Sequence, residues 1–179
     1  MENKVSLCDT NHSYCLLLMY LTVNVAPRGR ATQSAEPLSV ETDPSMAIDS
    51  YRNPTELEKT CASVPMQDDP WWRLDLRSIY HITSVSITVT QCCHEQLNGA
   101  EIRVGLREDI GNHRCAVVST AVGRYKYDYQ CESMFARFLH VVLPGQQRNL
   151  SVCEVQVYGS ACMPRTEHSQ MTWKSNSMM

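Results

Sequence analysis

The chain contains no Cys-x-x-Cys spacing in its 179 residues, although it carries nine cysteines. That absence excludes a zinc ribbon and a thioredoxin-like redox motif. It also lacks a Gly-x-Ser-x-Gly elbow, a phosphate loop and a His-Glu-x-x-His helix, so no familiar catalytic signature is present. Asp68 and Asp69 are adjacent carboxylates, but Asp69-Pro70 reads as turn chemistry, and adjacency alone does not make a glycosidase pair. An enzyme is not expected. The longest apolar run, Tyr14 to Val23, is far short of the ~20 residues of a membrane helix, so membrane insertion is not expected either. The net charge is −3 with interspersed signs, which leaves no basic patch for nucleic acid or an anionic membrane. The six histidines are scattered without zinc-ligand spacing. There is no internal repeat and no long amphipathic helical pattern.

What is present fits one globular domain with short tails. Hydrophobic residues make up 43% and charged residues 20%, a globular rather than a disordered balance. Seven of the nine cysteines lie between Cys61 and Cys162. That density points to an oxidising compartment and a disulfide framework, hence to a secreted, extracellular protein. The N-terminus fits a secretory signal poorly. Lys4 is its only early cation, Tyr14–Val23 can serve as the apolar region, and no good small-residue cleavage site follows. Residues 1–23 therefore read as a degraded leader or as an N-terminal extension. Residues 24–162 form the domain, and residues 163–179, polar and aperiodic, are expected to be a disordered tail.

Strand signals dominate the middle of the chain. Residues 24–60 read as loops with one or two short strands, and Pro44–Asp49 as a short helical turn. Trp71–Leu76 reads as a short, bulky strand. In His81–Thr90, Val85, Ile87 and Val89 alternate with Ser86, Thr88 and Thr90, which is period two. Ala100–Leu106 sets Ile102, Val104 and Leu106 on one face, and Asn98-Gly99 is a turn signal leading into it. Phe138–Leu143 is nearly continuous apolar. Val152–Tyr158 sets Cys153, Val155 and Val157 against Glu154, Gln156 and Tyr158. Short strands with turns between them predict an all-β sandwich. The expected buried set is Trp71, Leu74, Leu76, Val85, Ile87, Ile102, Val104, Val155 and Val157.

Five blocks resemble the F-type lectin (fucolectin) family. They are Asn24-Val-Ala-Pro-Arg-Gly-Arg-Ala-Thr-Gln-Ser34, then Ala47-Ile-Asp49 with Arg52-Asn53, then Asp69-Pro-Trp-Trp-Arg-Leu-Asp-Leu76. Cys92-Cys93 with Glu95 and Leu97-Asn-Gly-Ala-Glu-Ile-Arg-Val-Gly105 follows, and Cys153-Glu-Val-Gln-Val157 closes the series. The likeness covers about residues 24–159. It implies an all-β, eight-stranded jelly-roll β-sandwich of the F-type lectin and discoidin-like galactose-binding-domain architecture. It further implies a calcium-dependent, fucose-binding lectin acting in innate recognition.

The family pattern pairs Cys61 with Cys153, Cys115 with Cys131, and the neighbours Cys92 and Cys93. The residues alone leave Cys92 and Cys93 open to being free thiols or paired elsewhere. Cys8, Cys15 and Cys162 have no assigned partners. With the leader removed, Cys162 is the odd cysteine and is available to link two chains, so a homo-oligomer is a further expectation. The resemblance places calcium on the side chains of Asp49, Thr60 and Glu154 and on the carbonyls of Met46, Tyr51 and Cys153. That set is all oxygen, as calcium requires. The residues by themselves also allow Asp49 to be a turn cap and Glu154 a solvated strand residue.

The family reads fucose with a His after the first bridge cysteine and with basic residues around an Arg-x-Asp-Cys-Cys-x-Glu-Arg stretch. Here Ala62, Ser63 and Val64 follow Cys61, and Val89, Thr90 and Gln91 precede Cys92. Gln96 stands for the second basic residue. Ser63, Thr90, Cys92, Cys93, His94 and Gln96 are therefore the candidate contacts of a degenerate sugar site. Neutral hydrogen bonds are about half as strong as charge-assisted ones. A glycan partner with fucose affinity weak or absent is expected. The alternative is a structural or protein-interaction jelly roll that keeps calcium without a sugar site. Asn149-Leu150-Ser151 is an acceptor sequon, as is Asn11-His12-Ser13, whereas Asn53-Pro54-Thr55 is excluded by its proline.

Overall fold

The computed structural model describes residues 22–50, 61–90 and 94–161, with the backbone of Leu7–Cys8 and Met163–Pro164. Its strands in chain order are β1 (Leu7–Cys8), β2 (Val23–Asn24), β3 (Arg30–Gln33), β4 (Ala62–Gln67), β5 (Trp71–Thr88) and β6 (Glu101–Gly105). They continue as β7 (His113–Val117), β8 (Lys126–Val142), β9 (Arg148–Val152), β10 (Glu154–Ala161) and β11 (Met163–Pro164). Eight of these hold four residues or more. No α-helix occurs among the described residues; helical geometry is confined to 3-10 turns. The leader apart from Leu7–Cys8 and residues 22–23, the C-terminal tail beyond Pro164, Cys15, Cys162 and Asn11 lie outside the described residues.

β5 and β8 are the spine of the larger sheet. They pair antiparallel from Trp71↔Val142 to Thr88↔Lys126, with a register shift between Asp75 and Tyr80. At that break Arg77 adopts φ +62°, and its N–H donates to Asp75 Oδ1 at 2.8 Å. Before the break the order is β3-β5-β8-β6-β7; beyond it β10 takes the flank of β5, with β2 outside. The expected short strand at Trp71–Leu76 is thus the first third of an 18-residue element, continued through a bend that its exposed residues 77–79 disguise. β4 and β9 form a separate antiparallel pair. Ala62, Val64, Leu150 and Val152 from this pair join Leu74, Ile87, Ile102 and Val155 of the larger sheet in one hydrophobic cluster. The result is a jelly-roll sandwich.

The alternation rule selects most of the core, but Ser86 and Thr90 are buried as well as Val85, Ile87 and Val89, and other departures have local causes. Trp72, not Trp71, is buried. Residues 72, 74 and 76 share a face by period two, so Trp71 falls on the opposite face, where the Arg73 guanidinium sits 5.5 Å from its ring centroid. Leu106 is 57% exposed because β6 ends at Gly105 and the alternation ends with it. β10 is buried on both faces: Glu154 and Gln156 are as covered as Val155 and Val157. Phe138–Leu143 is likewise buried throughout. Its strand runs between β5 and β6, and a strand covered on both faces reads as continuous apolar sequence. Even His140 there is buried, held by Asn112 Nδ2 at 3.4 Å and the Glu108 carbonyl at 3.0 Å. The Asn98-Gly99 turn carries φ +86° at Gly99, a left-handed conformation that glycine adopts without penalty.

Candidate functional site

Of the six metal candidates, Met46 and Asp49 belong to one turn, Cys153 and Glu154 to the junction of β9 and β10, and Tyr51 and Thr60 lie outside the described residues. Pro44–Ile48 forms a 3-10 turn. Proline at its start supplies a pre-set φ and lacks the N–H that would otherwise need a partner. Asp43 caps it, accepting the Ser45 N–H at 2.8 Å. Ala47 and Ile48 are buried, which turns Met46 and Asp49 away from the core. The turn is tied to the sheet by Trp72, whose indole N–H donates to the Pro44 carbonyl at 2.9 Å. Asp49 ends the turn and is exposed.

Cys153 and Glu154 stand where β9 passes into β10. Cys153 is buried and bonded to Cys61, with a Cα–Cα distance of 4.0 Å. Its N–H donates to the Thr88 carbonyl at 3.1 Å. Glu154 opens β10 and is 1% exposed, so a carboxylate is set in the protein interior, where charge needs compensation. The Pro44–Ile48 turn packs directly on β10. The structure therefore brings Met46, Cys153 and Glu154 onto neighbouring elements, with Asp49 at the end of the turn. Tyr51 and Thr60 lie outside the described residues, Thr60 being the sequence neighbour of the bridged Cys61. Among the described residues, no three His, Cys, Asp or Glu side chains cluster to hold a metal. The candidate set itself is mostly carbonyl and hydroxyl oxygen, the donors a hard cation takes and soft transition metals do not favour.

The described sugar candidates lie on β4, just beyond the end of β5 and in the turn before β6. Ser63 is half-buried on β4, in register with the buried Ser151 of β9. Its carbonyl accepts from Gln33 Nε2 at 3.1 Å. His94 and Gln96 are half-buried in a 3-10 turn, His94–Leu97, that packs against β9 through the buried Leu97. Thr90, Val64 and Val89 are fully or almost fully buried. Gln91, Cys92 and Cys93 lie outside the described residues. A second bridge joins Cys115 of β7 to Cys131 of β8, Cα–Cα 5.0 Å.

Two residues matter here that sequence reading passed over. Trp72 fixes the metal-candidate turn, and only the strand phase could have separated it from Trp71. Arg148, at the start of β9, donates from Nη2 to the Asn98 carbonyl at 3.3 Å, setting a guanidinium beside the loop that holds His94 and Gln96. It lies more than fifty residues away in sequence, so no local pattern marks it. The resolved ion pairs lie elsewhere. Glu101 takes Arg114 and Arg103 at 2.8 and 2.5 Å, and those hydrogen bonds, Arg114's foremost, hold its carboxyl below the usual carboxylate range. A groove of about 550 Å³ runs between β3 and the Pro44–Ile48 turn, walled by Arg30, Gln33, Glu36, Asp43 and Arg77. None of the described sugar candidates lines it.

The family model for a NedA-like, galactose-binding domain matches residues 46–141. Fucolectin of Anguilla anguilla is 38% identical over 146 residues, which span 77% of this chain and 92% of that protein. A pentraxin fusion protein of Xenopus laevis is 34% identical over 139 residues, 75% of this chain and 33% of that longer protein. An f-lectin (fucolectin) from the serum of striped bass, Morone saxatilis, superposes with a TM-score of 0.70 at 34% identity, covering 79% of this chain and 48% of that one. A fucose binding module of Streptococcus pneumoniae superposes with a TM-score of 0.63 at 22% identity, covering 76% and 95%. That last likeness is one of fold.

Proposed function

Since the chain belongs to the F-type lectin family, the family of the fucolectins, we propose that it is a secreted, calcium-binding carbohydrate-recognition domain that has lost the family's fucose coordination. One observation carries the departure from fucose: Ser63, Val64, Val89, Thr90, Gln91 and Gln96 stand where the family sets its His, Arg and Asp, and Val64, Val89 and Thr90 among them are buried. A site built to grip particular hydroxyls loses strongly when its donors go. What remains beside the β4–β9 pair is half-buried His94, Gln96 and Ser63, with Arg148 alongside. These supply hydrogen bonds suited to a different glycan. The same neutrality favours a second reading, a protein-interaction jelly roll with calcium and no sugar site.

The carboxylates of Asp49 and Glu154, the Thr60 hydroxyl and the carbonyls of Met46, Tyr51 and Cys153 would hold calcium. Bound there, calcium would clamp separate chain segments together through oxygen ligands. The Cys61–Cys153 bridge keeps the two strand starts side by side. Trp72 keeps the Met46 turn against the sheet through Pro44.

Thermal melts with calcium or EDTA test the metal, and millimolar fucose in calcium tests the sugar. A ligand that binds only the folded state adds ~2.7 kcal/mol at ~100 times its Kd. That corresponds to a rise of roughly 5–10 °C for a domain of this size. Asp49→Ala and Glu154→Gln should each remove the rise, and fucose should add none. A melt insensitive to calcium contradicts the metal assignment. A fucose-dependent rise contradicts the loss of fucose coordination.

A further inference from the structure

We propose that Asn149 is an N-glycosylation site on the outward face of the β4–β9 pair. The sequence places the acceptor triplet Asn149-Leu150-Ser151 within β9. Strand alternation then sorts its residues. Leu150 and Val152 are fully buried in the core, so Asn149 and Ser151 point the other way. Ser151 is covered, whereas Asn149 is half-buried and its side-chain amide makes no hydrogen bond among the described residues.

The ladder is open at that point. β4 and β9 are in register at Val64↔Leu150 and again at Gln67↔Arg148, with a shift between them. Pro65 and Met66 of β4 therefore stand across from Asn149. Proline offers no N–H to the ladder, and Met66 is 64% exposed. A bulge of this kind splays the strands and re-aims the side chains beside it. The folded protein thus leaves room at Asn149 Nδ2 for a substituent as large as an oligosaccharide, and it exposes an apolar methionine for that substituent to cover.

The chemistry is an amide substitution. Asn149 Nδ2 attacks C1 of the reducing-end sugar of a polyprenyl-diphosphate-linked oligosaccharide in the secretory lumen. The N–C1 bond forms, the C1–O bond to the diphosphate breaks, and the amide proton is lost as the diphosphate leaves. Ser151, two residues on, completes the acceptor. Within the fold it is in register with Ser63, so the glycan would stand roughly 7 Å along the strand from a candidate sugar contact.

The assignment rests on the secreted reading of the chain, and the experiment separates the two. The full chain is produced in a eukaryotic secretory host, once with its own N-terminus and once behind a strong cleavable leader. Intact mass and peptide mapping are recorded before and after peptide-N-glycosidase. The expected result is a glycopeptide containing position 149 that collapses on digestion and leaves a carboxylate there. N149Q should lose that glycan while still being exported, and S151T should keep it. If only the leader-bearing chain is exported and carries the glycan, secretion by the native N-terminus is contradicted and the site stands. Exported chain whose Asn149 peptide is unmodified overturns the proposal, as does modification confined to Asn11.

Discussion

Trp72→Phe should destabilise the domain far more than Trp71→Phe, although the two residues are adjacent and chemically alike. Trp72 is fully buried, and its indole N–H meets the Pro44 carbonyl at 2.9 Å. Phenylalanine keeps an aromatic ring but removes that donor. Leaving this part-buried carbonyl without its partner costs about 1–3 kcal/mol. The missing ring atoms remove roughly another 1 kcal/mol of packing. The expected loss is therefore about 2–4 kcal/mol, which lowers the melting temperature by roughly 5–15 °C for a domain of this length. Trp71 is only half-buried, and its specific contact is the Arg73 guanidinium 5.5 Å from the ring centroid. An exposed contact of that type is worth about 0.5–1 kcal/mol, and phenylalanine retains part of it. Urea unfolding of both variants, with m-values compared to confirm that the unfolded states match, gives the two losses directly. Equal losses, or a larger one for Trp71→Phe, would refute the strand phase and the role of Trp72 in holding the Met46 turn.

Three further expectations follow from particular contacts. Removing the Cys61–Cys153 bridge, which closes 92 residues, should cost about 4.6 kcal/mol in the chain-entropy treatment, against about 3 kcal/mol for Cys115–Cys131 and its 16; paired Cys→Ser variants in denaturant melts would show the reverse order if the loops do not govern the effect. His140 has its pKa pushed below the ordinary 6.5, by burial first, with Arg73 and Arg103 adding to the depression and the Glu108 carbonyl and Asp109 opposing it. The unfolded chain then binds the extra proton, so stability should fall as pH drops from about 6.5 toward the depressed value, and His140→Asn should flatten that slope in melts from pH 7.5 to 5; an unchanged slope would contradict it. Asp75 is held below its ordinary 3.8, chiefly by the Arg137 hydrogen bond, at 2.8 Å on two oxygens. Its contribution is present above pH 3.8 and lost as pH falls through the lowered value, so Arg137→Ala should shrink the acid-induced loss measured by circular dichroism, and an undiminished loss would refute the pairing.

Much of the architecture was legible in the residues because strand alternation is a local property. Val85 and Ile87, Ile102 and Val104, and Val155 and Val157 all reach the core as their spacing dictates. Alternation fails where burial is set by neighbours rather than by the strand itself. Glu154 and Gln156 fall on the strand face opposite Val155 and Val157, yet both are covered, because β10 lies between β5 and β2 with the Pro44–Ile48 turn upon it. Trp71 and Trp72 were separable only by a phase that a six-residue run leaves open, and the bend at Arg77 hid the continuation of β5. The candidate site was legible in part for a different reason. Met46, Asp49 and Glu154 fall into motif blocks whose order along the chain could be read, whereas the approach of Arg148 to the Asn98 carbonyl depends on how β9 packs across the loop.

Glycan-array binding of the purified chain in calcium, repeated in EDTA and again with excess free fucose, tests the proposed function most directly. The expected result is binding to a restricted set of glycans that disappears in EDTA and is unaffected by fucose. Binding that free fucose competes away, or that survives EDTA unchanged, would contradict it, and no binding to any glycan would leave the protein-interaction reading in its place.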